Sequence, residues 1–285
     1  MYTIERFEKE MFTMYQLKHP TGNSWITVCP ERGGIITGYG TNNEERLYLN
    51  EATLFDRKKN VRGGIPVLFP ISGQLENKQY RWDGKQYDMP NHGLARIHPW
   101  EVLETYSDEE HAFISVLFRS SLSTKAVYPF DFKVIFTYTL RGDQLLIHQS
   151  YENLSDTPMP IYPGLHPYFK SDKKVVGLDL PTKTYFDYND EEEKAFTGQI
   201  DLTNLKEAVR LENTHTRVKA TLDRQSINME MDDAFRFTVL WTEQDQRFVC
   251  VEPWTRKNGE MNKQENLIEV PARDTFDTWV SFQII

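Results

Sequence analysis

Several classes of protein depend on residues this sequence lacks. Two cysteines, Cys29 and Cys250, in a chain of 285 residues are too few for a disulfide framework, and they have no zinc-type spacing. No apolar run approaches the roughly 18 residues of a membrane-spanning helix, so no membrane span is expected. Basic residues are outnumbered, 33 Lys and Arg against 42 Asp and Glu for a net charge of −9, and no Lys/Arg block occurs. Nucleic acid and anionic membrane are therefore not expected as partners. There is no G-x-x-x-x-G-K-[ST] phosphate loop, no H-E-x-x-H, no paired C-x-x-C and no G-x-S-x-G. Gly38-Tyr39-Gly40 lacks the third glycine and the βαβ setting of a dinucleotide fold. The opening MYTIERFEKEMF carries acidic residues where a secretory signal would place a basic tip, so a reduced, cytoplasmic protein is expected. Helical patterning is also scarce. The best candidate, Leu202 to Leu211, is short and poorly capped.

Aromatic residues are abundant, at 13% of the chain, and many fall in alternating rows. Phe132, Val134, Phe136, Tyr138 and Leu140 form one row. After the turn-like Arg141-Gly142-Asp143, the alternation resumes with Leu145, Ile147, Gln149 and Tyr151. Ile114, Val116 and Phe118 repeat it, as do Phe276, Thr278, Val280, Phe282 and Ile284. Period two marks half-buried strands, because successive side chains point to opposite faces of a sheet. Asp83-Gly84, between Tyr80-Arg81-Trp82 and Lys85-Gln86-Tyr87, predicts a tight hairpin. No linker, repeat or composition shift divides the chain, and the Glu191-Glu192-Glu193 run reads as a solvated loop. The expected fold class is all-β, one domain over 1–285 built from large antiparallel sheets packed face to face.

Chemistry is most plausible where polar residues interrupt segments that otherwise look buried. Arg62 precedes Gly63-Gly64 and an apolar run, and an arginine there can fork onto hydroxyls, carboxylate or phosphate. His92 and Arg96 flank Gly93 in Asn91-His92-Gly93-Leu94-Ala95-Arg96. His166 is boxed in by prolines and aromatics in Tyr162-Pro163-Gly164-Leu165-His166-Pro167-Tyr168-Phe169. Glu252 ends the apolar stretch Phe248-Val249-Cys250-Val251, just before Pro253-Trp254. Partial burial raises a carboxyl pKa toward a useful general-base value, and a nearby imidazolium pulls it back. Taken singly, each has a plain structural reading. A histidine among aromatics is commonly a hydrogen-bonded core residue, and a strand-end glutamate is commonly solvated.

Four segments in order, RGGIPVLFP at 62–70, HGLAR at 92–96, HPYF at 166–169 and VCVEPW at 249–254, resemble the aldose 1-epimerase (galactose mutarotase-like) superfamily. The similarity is greatest to its hexose-6-phosphate mutarotase branch, and Thr27 to Thr37 resembles that family's opening strand pair. The resemblance implies a β-supersandwich with a sugar bound on a concave surface. It also implies a cofactor-free, metal-free mutarotase whose partner is a small sugar or sugar phosphate. Glu252 would be the base at the anomeric hydroxyl and His166 the acid at the ring oxygen. His92 and Arg62 would hold the sugar, Arg96 would help bind any phosphate, and Asp201 would be a sugar-binding aspartate, with Asp187 as its competitor. Trp254, Tyr168 or Phe69 would stack on the ring, and a carboxylate near His166 would keep it protonated.

Two stretches depart from the phosphosugar branch: Ile71-Ser72-Gly73-Gln74-Leu75, and Thr255-Arg256-Lys257-Asn258 after Glu252-Pro253-Trp254. A phosphosugar would need a local basic patch, for which Arg62, Arg96, Arg256 and Lys257 are the candidates. A non-catalytic sugar sensor on the same fold is the alternative. A polysaccharide lyase or hydrolase is disfavoured, since no basic stripe and no second well-placed carboxylate are visible.

Overall fold

A computed structural model describes all residues 1–285. Its strands run antiparallel in two large sheets, a five-stranded sheet and two two-stranded ribbons. The nine-stranded sheet has the spatial order Gln199–Asp201, Val175–Asp179, Arg217–Thr221, Ser226–Met231, Thr275–Ile284, Gln144–Asn153, Phe132–Arg141, Ala112–Arg119 and Glu101–Ser107. The rows expected from the sequence lie here. Along Phe132–Arg141 buried and half-buried residues alternate, and Val134, Phe136 and Tyr138 pair with Tyr151, Gln149 and Ile147 of the next strand. Asp83-Gly84 closes the expected hairpin between Gln79–Trp82 and Lys85–Asp88.

The eight-stranded sheet runs Glu192–Ala195, Thr184–Asp187, Val209–Glu212, Phe237–Trp241, Phe248–Trp254, Gly164–Leu165 and Val67–Leu68, with Tyr168–Lys170 also paired to Phe248–Trp254. Three of the four family-like segments are thus neighbouring strands of one sheet. A parallel bridge from Phe69 to Gly93 brings in the fourth. Phe248–Trp254 is buried along its whole length, yet its two faces differ. Val249 and Val251 join the main core of 58 buried residues between the large sheets. Phe248, Cys250, Glu252 and Trp254 face the other way, as period two requires. Phe69 belongs to the core, where its ring meets Tyr128, Phe132 and Tyr151, so it does not stack on a ligand.

A third sheet is five-stranded, Thr3–Lys9 through Glu44–Glu45, and Met159–Ile161 pairs separately with Ile268–Val270. Helix is confined to single turns such as Glu51–Leu54 and Glu260–Lys263. Leu202 to Leu211, the best helical candidate in the sequence, is not a helix. It is a turn followed by the strand Val209–Glu212, and the Asn189 side chain captures the backbone N–H groups of Lys206 and Glu207 that a helix would need. No helix is long and apolar enough to cross a membrane.

Candidate active site

Glu252, His166, His92, Arg96, Arg62 and Trp254 all line one open cavity of about 570 Å³. Glu252 is held in register by pairing with Val239, and Gly164, two residues before His166, pairs with Trp254 on the other side. The result is a His166 Nε2 only 3.4 Å from Glu252 Oε1, both side chains almost fully buried. Trp254 Nε1 donates to the other carboxylate oxygen at 3.0 Å. This indole is therefore a clamp on Glu252, whichever face it also offers to a ligand. His166 lies flat on Tyr168, with ring centroids 4.7 Å apart and planes 12° apart, and meets Trp241 edge-on.

His92 is fixed differently. Its Nδ1 accepts the Gly73 N–H at 2.9 Å, while its own backbone N–H donates to the Gly73 carbonyl at 2.7 Å. A backbone N–H can only donate, so the neutral ring must carry its proton on Nε2. His92 also sits at φ 62°, a left-handed conformation uncommon outside glycine and characteristic of constrained sites. Gly73 is tied in turn to Asn258, whose Oδ1 accepts the Gln74 N–H at 3.1 Å. With φ +81° and Asn258 Oδ1 only 1.7 Å from where a Cβ would stand, only glycine fits at 73.

Burial governs the electrostatics. It pushes Glu252 well above the usual carboxylate range, opposed by the Trp254 N–H and the Arg96 charge. It pushes His166 well below the usual imidazole range, reinforced by Arg96 and Arg62. His92 is lowered by burial, then by Arg96 and His166. Burial and the two arginines thus work against the expectation that a nearby carboxylate keeps His166 protonated. Arg96 itself is pulled down to about 10 by burial. Its Nη2 donates to the Asn91 carbonyl at 2.7 Å, and its Nε is buried without a partner. Arg62 is committed to Glu243 through a 2.7 Å contact and lies over the Trp241 ring.

Neither candidate aspartate lines the cavity. Asp201 is exposed on the edge strand of the other large sheet, where it accepts the Thr203 N–H at 2.8 Å. Asp187 is buried but held by Lys194 at 2.6 Å and by Asn189. Arg256 donates to the carbonyls of Asn266, Ala234 and Thr255, and Lys257 lies over Phe237; neither joins the lining. The sequence reading missed the four amides Asn60, Gln74, Asn91 and Asn258, and the rim residues Tyr188, Glu191, Lys206 and Glu207. Glu191, assigned to a solvated loop, is the tip of a hairpin at the cavity rim. Gln74 and Asn258 lie in the two stretches that depart from the phosphosugar pattern, and those stretches meet in space. Among possible metal donors, His166, Cys250 and Glu252 place one ligand atom each within 4.8 Å of one another. Burial pushes the Cys250 thiol well above its usual range, with the Glu252 charge adding to the rise.

An aldose 1-epimerase family model matches residues 13–278, and the chain belongs to that family. Its stacked-sheet architecture is that of galactose mutarotase-like proteins. The crystal structure of the Slr1438 protein from Synechocystis sp. PCC 6803 is 29% identical, with a TM-score of 0.88 over 100% of this chain and 96% of that one. Galactose 1-epimerase from Lactobacillus acidophilus, 13% identical with a TM-score of 0.73 over 100% of this chain and 98% of that one, shares the fold. A protein of Escherichia coli K12, provisionally named glucose-6-phosphate 1-epimerase, is 26% identical over 159 residues, 55% of this chain and 49% of that protein. This match spans about half the length of that relative.

Proposed function

We propose that the protein interconverts the α and β anomers of an unphosphorylated hexose, with Glu252 as general base and His166 as general acid. The observation that carries this reading is the 3.4 Å contact between a buried carboxylate and a buried imidazole at a sugar-sized cavity. The anomeric oxygen and the ring oxygen are bonded to one carbon, so the groups that serve them must stand side by side. Glu252 removes the proton from the anomeric hydroxyl while His166 delivers one to the ring oxygen. The C1–O5 bond breaks and leaves the open-chain aldehyde. Rotation about C1–C2 and the reverse transfers then give the other anomer. The pair needs one proton in total. Moving it from Glu252 to His166 makes the reactive form, and each positioned transfer contributes roughly 10²–10⁴ in rate. His92, a fixed neutral Nε2–H donor, holds an oxygen of the sugar.

The amides support hydroxyl recognition, and the charges argue against a phosphate. Arg62 is paired with Glu243, Lys206 shares the lining with Glu191 and Glu207, and the remaining cavity cation, Arg96, has Glu252 as a charge neighbour. A dianionic phosphoester would enter a cavity where Arg62 is already spent on Glu243 and where Glu191 and Glu207 add negative charge, on a chain of charge −9. Saturation-transfer NMR at the anomeric protons of glucose, galactose and glucose 6-phosphate tests both parts. Acceleration for a free hexose and none for the phosphate is expected. Acceleration confined to the phosphate would overturn the substrate class, and none for any sugar would overturn the activity.

A further inference from the structure

The segment that follows the Glu252 strand is laid along residues 74–81 by its amide side chains. Asn258 Oδ1 accepts the Gln74 N–H at 3.1 Å. Asn262 accepts the Glu76 N–H at 3.2 Å and donates to the Gln79 carbonyl at 2.6 Å, and Gln264 donates to the Arg81 carbonyl at 2.9 Å. Met261, fully buried, anchors this strap in the main core. Of the three amides only Asn258 reaches the cavity lining.

At the cavity end, consecutive N–H groups have separate acceptors. Ser72 donates to the Tyr162 carbonyl at 2.8 Å, Gly73 to His92 Nδ1 at 2.9 Å and Gln74 to Asn258. A trans peptide places its C=O and N–H on opposite edges of one plane. The 73–74 peptide is gripped on both: its carbonyl accepts the His92 backbone N–H at 2.7 Å, and its N–H is held by Asn258 alone. Glycine is required at 73 for space, yet glycine is also the residue freest to rotate, so its conformation has to be held from outside.

We propose that Asn258 is a positioning residue: it holds the 73–74 peptide so that the Gly73 N–H keeps the His92 ring in its Nε2–H tautomer. Without that grip the peptide pivots on its carbonyl contact and the Gly73 N–H leaves Nδ1. A neutral imidazole whose Nδ1 is free can carry its proton on either nitrogen. With the proton on Nδ1, Nε2 turns from donor to acceptor, and a sugar oxygen that accepts from it loses its partner. Asn258 lies four residues beyond Trp254, the clamp on Glu252, so one stretch of chain fixes both the base and the donor opposite it.

The ¹⁵N shifts of the His92 ring in the sugar-free protein test the lock. Wild type should show a protonated Nε2 and an accepting Nδ1. Asn258→Ala should give a mixture of tautomers, while Asn258→Asp, which keeps the shape and the acceptor, should retain the wild-type ring. Asn262→Ala loosens the same strap outside the cavity; it should lower the unfolding midpoint and leave the ring unchanged. With a free hexose, Asn258→Ala should raise KM by roughly three- to tenfold, with less effect on kcat. A wild-type ring in Asn258→Ala would overturn the inference, and so would a ring disturbed equally by Asn262→Ala, since the effect would then be general loosening. A mixed ring with unchanged KM would overturn the link from tautomer to sugar. The KM arm rests on the mutarotase reading and the ring spectra do not, so the expected spectra in a protein that turns over no sugar would count against that reading alone.

Discussion

The two large sheets solve different problems. In the nine-stranded sheet the strands are long, one face is apolar, and the ladder from Ala112–Arg119 to Gln144–Asn153 runs with no break in register. In the eight-stranded sheet the central strands are buried on both faces, and those on the His166 side of Glu252 are two or three residues long, interrupted by glycine and proline. The first sheet is a scaffold whose alternation needs only hydrophobic burial. The second keeps a carboxylate, an imidazole and a guanidinium out of water, which lowers stability and sets up chemistry. Regular pattern marks support here, and broken pattern marks the site.

The sharpest way to break that comparison is to damage each sheet separately. Phe136→Ala, in the scaffold core, should cost about 3–5 kcal/mol in urea unfolding. The protein that remains folded should keep its KM. A large KM change would mean that the scaffold also shapes the cavity. Gly73→Ala should do the reverse. Its Cβ would collide with Asn258 and strain a left-handed backbone, at a cost on the order of 1–3 kcal/mol. It should release the Gly73 N–H from His92 and raise KM. The ¹⁵N shifts of the His92 ring report the tautomer directly, and an unchanged Nε2–H signature would contradict the lock.

The pH dependence of stability separates the two sheets more finely. Glu252 has a raised pKa in the folded state, so its contribution is complete below the unfolded value and is lost as pH rises toward the folded one. His166 has a lowered pKa, so its contribution is complete above the unfolded value and is lost as pH falls toward the folded one. Between the ordinary imidazole range and the ordinary thiol range, where the buried Cys29 and Cys250 begin to contribute, Glu252 acts alone among these groups. Stability should then fall with rising pH at up to about 1.4 kcal/mol per unit until Glu252 ionises. Urea midpoints across that range should lose this slope in Glu252→Gln, and a slope that persists would assign it elsewhere. The smallest effect is expected for Asp201→Asn, which should leave KM unchanged because Asp201 is exposed and far from the lining. A raised KM would return that residue to the site.

These contrasts explain what could be read from the sequence. Rows such as Phe132 to Leu140 gave strands and a sandwich because one face of each is wet, which writes period two into the chain. Glu252, His166, His92, Arg62 and Arg96 stood out because each is a polar residue inside an apolar or glycine-rich stretch. Their assembly was not legible from spacing. Ladder partners, Val239 for Glu252 and Trp254 for Gly164, set it, and pairing is a long-range property. The amides Asn60, Gln74, Asn91 and Asn258 carry no local signal, since the same residues fill ordinary turns. Asp201 was misplaced because a short strand with an aspartate looks alike on either sheet. The burial and the Arg96 charge that oppose a proton on His166 were not legible, since neither is visible in sequence.

The central claim is that the Glu252–His166 pair moves protons. Anomeric exchange of a saturating free hexose, measured by saturation transfer for wild type and Glu252→Gln, tests it most directly, with sugar binding and unfolding followed in parallel. The amide keeps the shape and can still accept from Trp254, but it cannot take a proton. The exchange rate should fall by roughly 10²–10⁴, or to the spontaneous rate, with binding retained and the fold at least as stable. Full exchange in Glu252→Gln would contradict the account.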